Sequence, residues 1–194
     1  MRFQSSTLHQ PSLFGAETSG PEGFVYERGL LLPEQEAELT AIFEGLPFKA
    51  YEFRGYNGKR RVVYFGWRYD AEGKLGQTEA IPDFLLPVRD AAAAFAGLEA
   101  DALVHALINH YEPGAAIGWH RDRPAFGDVV GVSLGGPVPL RFRRPRGEGW
   151  ERLSQTLEPG SAYLLRGPVR SEWQHSIPPA RTARYSVTFR TLAE

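Results

Sequence analysis

The sequence predicts a mainly β protein in which two helices and a β-hairpin precede an antiparallel barrel or sandwich, with a strand count that fits a jelly roll. Three observations carry this expectation. The 194 residues, 42% apolar and 23% charged, suit one globular domain with a sizeable core. Helical periodicity is confined to two stretches of the first half. From Leu103 onward the chain breaks into short apolar or alternating runs separated by Gly and Pro, as many short strands require.

The expected domain spans 1–194. Residues 1–20 are polar, with Ser, Gly and Pro punctuation, and read as a flexible arm. Residues 21–100 read as a helical buttress and hairpin. From Pro33 to Leu46, Leu39, Ile42, Phe43 and Leu46 fall at i, i+3, i+4 and i+7 behind a first turn containing Glu34 and Glu36, and Pro33 suits the first helical position. In KAYEFRGYNGKRRVVYFGWRYD, Asn57-Gly58 lies between stretches rich in aromatic and β-branched residues, which predicts a long hairpin turning at that dipeptide. A second helix fits Pro82 to Gly97, with Phe84, Leu85, Val88, Ala91, Ala92 and Phe95 on one side and Gly97 as the stop. Residues 101–194 then supply the strands ALVHALINHYE, DVVGVSL, VPLRFRR, SAYLLR, SEWQHSI and RYSVTFR, with PRGEGW as an exposed connection.

Composition narrows the chemistry. With no cysteine, disulfides, thiolate metal sites and cysteine nucleophiles are excluded, so a metal must be held by histidine and carboxylate. The apolar runs are too short to span a bilayer and MRFQSSTLHQ lacks a signal-peptide core, so a soluble, cytoplasmic, monomeric protein without membrane association is expected. The net charge of -1 hides two basic stretches: Arg54, Lys59, Arg60, Arg61 and Arg68 in one, and four arginines between Arg141 and Arg146 in the other.

Of five histidines, only His120 stands two residues before an aspartate, Asp122. In extended backbone the two share a face and can converge on one ion. A distant histidine, for which His175 is the natural candidate, would complete a two-histidine, one-carboxylate set suited to iron(II). Alone the tripeptide is weak, since it arises by chance in about one such chain in seven and is more often a surface turn. In RYSVTFR, Arg184, Ser186, Thr188 and Arg190 take one face of a strand and Tyr185, Val187 and Phe189 the other. The two arginine Cα atoms would lie roughly 20 Å apart, and their planar forks suit a small dicarboxylate. An edge strand with solvated arginines gives the same spacing.

INHYEPGAAIGWHRD, LEPGSAYLLRGPVRSEWQHSI and RYSVTFR together resemble the AlkB-type branch of the 2-oxoglutarate and iron(II) dependent dioxygenases. The resemblance implies a double-stranded β-helix and an oxidoreductase using Fe(II), 2-oxoglutarate and O2. It assigns His120, Asp122 and His175 as iron ligands and catalytic residues. It matches Asn109, Tyr111, Arg184 and Arg190 to the cosubstrate site, with Ser186 where many relatives have asparagine, and Arg170 to an arginine preceding the distal histidine.

By the same resemblance the hairpin is a lid over substrate. Its aromatics and cations suit stacking a base and neutralising phosphate, although a half-buried hairpin with a solvated arginine face would read alike. Trp67 and Tyr69 are the stacking candidates, and Arg60, Arg61, Arg123 and Arg170 the remaining substrate contacts. The expected function is oxidative demethylation of methylated nucleic acid. HRDRPAFGD lacks the acidic residues that follow the motif in repair members and is closer to relatives acting on tRNA or protein, so those substrates are the alternative within the family. A non-catalytic cupin-like binder of a small acid or sugar is the alternative outside it.

Overall fold

The structure is a computed structural model that describes residues 20–53, 56–69 and 74–193, without the side chains of 52–58 and 69. Residues 1–19 of the expected arm over 1–20 and the Tyr69 side chain lie outside the described residues.

Twelve strands and three α-helices follow in order among the described residues: β1 (Phe24–Glu27), α1 (Pro33–Glu44), β2 (Lys49–Phe53), β3 (Tyr56–Tyr69), β4 (Leu75–Gln77), α2 (Leu86–Ala96), β5 (His105–Tyr111), β6 (Ile117–His120), β7 (Phe126–Gly135), β8 (Val138–Arg146), β9 (Gly149–Leu157), β10 (Ala162–Leu165), α3 (Pro168–Ser171), β11 (Gln174–Ile177) and β12 (Arg184–Leu192). The strands form two antiparallel sheets. The major one runs β1-β10-β7-β12-β5-β3-β2 with β4 beside β3, and the minor one runs β6-β11-β8-β9. Each strand of the expected second half is present. β1, β4 and β9 were not expected, and PRGEGW is mostly strand: Pro145 and Arg146 end β8, Gly149 and Trp150 begin β9, and the connection shrinks to Gly147 and Glu148.

The core has two layers, one on each face of the major sheet. Phe65, Ile108, Val130, Val132, Val187 and Phe189 point outward and pack under Leu39 and Phe43 of α1 and Val88, Ala92 and Ala96 of α2. Tyr111, Val129, Tyr163 and Leu165 point inward and meet Leu140, Phe142 and Ile177 of the minor sheet. Strand alternation therefore delivers one face of each central strand to the helices and the other to the space between the sheets.

Both helices form where the periodicity places them. Pro33 is the first residue of α1, and the Gln35 side chain accepts the Leu32 backbone N–H at 2.9 Å. Glu36 Oε1 accepts the Gly135 N–H at 2.6 Å and ties the helix to the end of β7. The second helix opens differently from expectation. Residues Asp83–Leu85 form a 3₁₀ turn, and the Asp83 carbonyl takes the Leu86 N–H because Pro87, which would be its α-helical donor, has none. Gly97 ends the helix at φ 64 and ψ 40, the left-handed conformation that a side chain would oppose.

The hairpin is present, but its register departs from expectation. Glu52 pairs with Asn57 and Phe53 with Tyr56, so Asn57-Gly58 lies within β3 and not at the turn. The pairing of β3 with β5, from Arg60 opposite Tyr111 to Gly66 opposite His105, sets that register and buries Val62 and Phe65 on opposite faces. A one-residue slip would exchange those faces, a larger cost than the turn preference of one dipeptide.

Candidate active site

Three side chains from two segments meet on the minor sheet. His120 ends β6 and is register partner of His175 on β11, which places the imidazoles side by side with ring centroids 4.3 Å apart. Asp122 follows immediately after β6. Its Oδ1 lies 3.9 Å from His120 Nε2 and its Oδ2 3.8 Å from His175 Nε2, and one ligand atom of each residue lies within 4.8 Å of the others. His120 Nδ1–H donates to the Gly118 carbonyl at 2.9 Å, which leaves Nε2 as the lone pair facing the cluster.

The electrostatics favour the ligand protonation states. Burial opposes the Asp122 charge, but Arg190, His175, His120 and Arg170 outweigh it and hold the carboxyl well below the usual carboxylate range. Arg190 Nη2 stands 3.5 Å from Oδ1 and Arg170 Nη1 3.8 Å from Oδ2. Burial lowers His175 to about 4, against the pull of Asp122, so its imidazole is neutral at physiological pH. The neutral His175 imidazole, the His120 Nε2 facing the cluster and one ionised carboxylate form the donor set that a first-row divalent metal such as iron(II) takes, with coordination positions left over.

One cavity joins this cluster to β5 and β12 and is lined by Asn109, Tyr111, Ser186, Thr188 and Arg190 as well as the three ligand candidates. Ser186 pairs with Asn109 across the strands, and Asn109 Nδ2 donates to Ser186 Oγ at 3.2 Å. Arg184 lies over the Tyr111 ring at 4.7 Å and is 1% exposed. Its Nη2 donates to Ser133 Oγ at 2.8 Å, while Nε and Nη1 are buried without a protein partner. A guanidinium with two unsatisfied buried donors calls for a carboxylate, so both halves of the site fit the groups the family resemblance implies.

The remaining candidates divide. Arg60 belongs to the cavity wall: its guanidinium stacks 3.9 Å from the Tyr51 ring centroid and Nη1 donates to Asn109 Oδ1 at 3.1 Å. Arg61, next along the strand, faces away, donating to the Phe48 carbonyl and lying 3.9 Å from Glu112. Arg170 is not a surface contact, since besides Asp122 it holds the Phe126 and Arg123 carbonyls, at 2.7 and 3.3 Å. Arg123 is exposed in the turn beside the site. Trp67 is half-buried, pairs with Gln77 of β4 and accepts from His105 Nδ1 through its carbonyl; it does not line the cavity.

Sequence reading missed Tyr163. Tyr163 lines the cavity, and burial raises its phenol pKa. Opposite it in register is Gly131, where a Cβ would collide with the Tyr163 ring, so the glycine lets that ring lie across the sheet. The apolar run Ala162–Leu165 was the available signal. His105 is 2% exposed, lowered to about 3 by burial, and packs between the tilted rings of Tyr64 and Phe126 on the flank occupied by Arg190.

A model of the 2OG-Fe(II) oxygenase superfamily matches residues 35–190. The chain belongs to that superfamily. Its curated relatives mark the AlkB-type branch. The chain is similar to an alkylated DNA repair protein ALKBH8 homologue of Arabidopsis thaliana, 26% identical over 86% of this chain and 54% of that one. It is also similar to a probable RNA/DNA demethylase ALKBH6 of Danio rerio, 34% identical over 68% of this chain and 53% of the relative. A third is the alpha-ketoglutarate-dependent dioxygenase AlkB of Salmonella typhimurium, 33% identical over 53% and 50%. The chain thus spans about half the length of the curated relatives it matches. The solved structure of OsALKBH1 shares the fold, with TM-score 0.64 over 87% of this chain and 98% of that one at 17% identity. The cofactors of this superfamily are Fe(II), 2-oxoglutarate and O2, and an oxygenase, not a cupin-like binder, is the class the match supports. No helix among the described residues is long and apolar enough to cross a membrane.

Proposed function

We propose that the protein oxidatively demethylates alkylated nucleic acid. The observation that carries the enzymatic part is one cavity bounded by His120, Asp122 and His175, with the buried, half-satisfied Arg184 guanidinium behind Tyr111. Iron(II), 2-oxoglutarate and O2 supply, when bound, the oxidising chemistry: the keto acid yields succinate and carbon dioxide, one oxygen atom enters a substrate C–H bond, and an N-hydroxymethyl product releases formaldehyde.

The protein's own side chains prepare that chemistry. His120, Asp122 and His175 would hold the metal; Arg190 and Arg170 keep the Asp122 carboxylate ionised and fixed. Arg184 would take the distal carboxylate of the cosubstrate, and Asn109, Tyr111 and Ser186 would orient the rest. Arg60, fixed by Asn109 and Tyr51, closes the wall on the lid side and joins the cosubstrate group, while Arg61 and Arg123 stay outside as substrate contacts. The apolar lining from Leu140, Leu165 and Ile177 excludes water.

Nucleic acid is favoured as substrate by relatives whose names denote alkylated DNA repair and RNA/DNA demethylation. The basic turn of Arg121 and Arg123 after the first ligands keeps tRNA in view. We further propose a monomer acting in the cytoplasm. The test supplies Fe(II), 2-oxoglutarate and O2 with methylated oligonucleotides or methylated peptides and measures formaldehyde and succinate. Matched formaldehyde and succinate from oligonucleotides are expected; formaldehyde from peptides alone would overturn the substrate class.

A further inference from the structure

The outer face of the minor sheet carries a pattern the active site does not use. Strand alternation sends His120, His175, Leu140 and Phe142 inward, and with them Arg144, which bonds Glu151 at 2.8 Å and Glu172 at 2.7 Å. The opposite positions of β6, β11, β8 and β9 are Trp119, Gln174, Ser176, Arg141, Arg143, Trp150, Arg152, Ser154 and Thr156, and none of them is acidic. The basic run that composition singled out is thus sorted: half is neutralised by glutamates on one face, and half is left uncompensated on the other.

Two details point to an anionic partner. Arg143 and Arg152 are directly opposed across β8 and β9, a like-charge pair that costs stability in an isolated sheet. Arg143 is also held in place: its guanidinium lies 4.4 Å from the Trp119 ring and 4.3 Å from the Trp150 ring, with Nε donating to Gln174 Oε1 at 2.8 Å. Arg141 is held the same way, 5.2 Å from Trp119 and with Nε on Ser176 Oγ at 3.1 Å. Neither is bonded to a carboxylate among the described residues. Trp150 is 41% exposed and Arg152 is exposed. Pre-positioned guanidiniums packed on partly exposed indoles are elements with which a sheet surface takes phosphates and stacks unpaired bases.

We propose that this outer face binds single-stranded nucleic acid along its phosphate backbone. Trp119 is the residue next to His120 on the edge strand β6, so a strand lying across β9, β8 and β11 reaches the rim of the active site. The inference rests on the nucleic-acid reading above only for what is delivered there, and the binding needs no turnover. An acidic protein segment would match the charge but leave the indoles without planar partners.

The test is fluorescence anisotropy with a labelled, unmodified single-stranded oligonucleotide of about 15 nucleotides, with polyglutamate as the alternative polyanion. Arg143→Gln with Arg152→Gln should weaken oligonucleotide binding about tenfold and flatten the log–log salt slope by about 1.4, with uncoupled succinate formation as in wild type. Trp150→Ala should weaken binding and leave the slope in place. Wild-type affinity in the double variant, or equal affinity for polyglutamate lost in the same way, overturns the proposal. A methylated oligonucleotide bound through this face yet never demethylated would sink the active-site reading and spare the face. Demethylation with undiminished binding by the double variant would do the reverse.

Discussion

Replacing Arg184 with Met tests the cosubstrate site through stability, without any substrate. In the ligand-free protein Arg184 is 1% exposed with Nε and Nη1 unpartnered, and burial lowers its pKa against the attraction of Tyr111 and Tyr163. An apolar side chain of similar length removes a buried charge that nothing neutralises, so Arg184→Met should be as stable as wild type or about 1–3 kcal/mol more stable. With 2-oxoglutarate the wild type gains stability that the variant does not. A ligand at about 100 times its dissociation constant adds about 2.7 kcal/mol, which for a domain of this size raises Tm by roughly 5–10 °C. Losing a buried charge-paired contact costs about 3–5 kcal/mol, or about 10² to 10⁴ in affinity. The same ligand concentration should then stabilise the variant by less than about 0.5 kcal/mol, within about 2 °C. Thermal unfolding of both proteins with anaerobic iron(II), with and without 2-oxoglutarate, reads all four values. An undiminished ligand-induced shift in Arg184→Met would refute the assignment.

Further expectations follow from the geometry. Arg60→Gln removes the bond to Asn109 Oδ1 and should raise KM for 2-oxoglutarate about tenfold with kcat retained at saturation; unchanged KM with weakened oligonucleotide binding would restore Arg60 to the substrate surface. His105 and His175, lowered from 6.5 to about 3 and about 4, bind fewer protons folded than unfolded. Iron-free protein should therefore be most stable above pH 6.5 and lose about 1.4 kcal/mol per pH unit per histidine as the pH falls toward 4. Urea midpoints across that range measure this, and a flat profile contradicts it. Gly131→Val drives a side chain into the Tyr163 ring and should destabilise by about 1–3 kcal/mol, with a lesser loss in Gly131→Val paired with Tyr163→Leu.

Much of this arrangement was legible in the sequence because period and spacing are local properties. The arginine–serine–threonine–arginine face of β12 followed from alternation, as did the helical faces of Leu39, Phe43, Val88 and Ala92. His120 and Asp122 announced a shared face, and the family resemblance supplied His175. What escaped was set by long-range pairing. Asn57-Gly58 carries a turn signal, yet β5 fixes β3 in a register that makes it strand. Arg60 and Arg61 are neighbours of one charge in the sequence, and the pleat sends one to Asn109 and the other to Glu112. Arg170 resembled a substrate contact, but its role comes from the Asp122 carboxylate behind which it folds. Tyr163 gave only an apolar-run signal, because β10 is covered on both faces and buries every residue.

A single ferrous site held by His120, Asp122 and His175 beside a 2-oxoglutarate pocket has a spectroscopic signature. Anaerobic titration of iron(II) into the protein with 2-oxoglutarate, followed by visible absorbance, tests it most directly. One equivalent of iron per chain should develop a metal-to-ligand charge-transfer band that needs 2-oxoglutarate and is lost in His120→Ala. Folded wild-type protein that develops no band, or an undiminished band in His120→Ala, would contradict the claim.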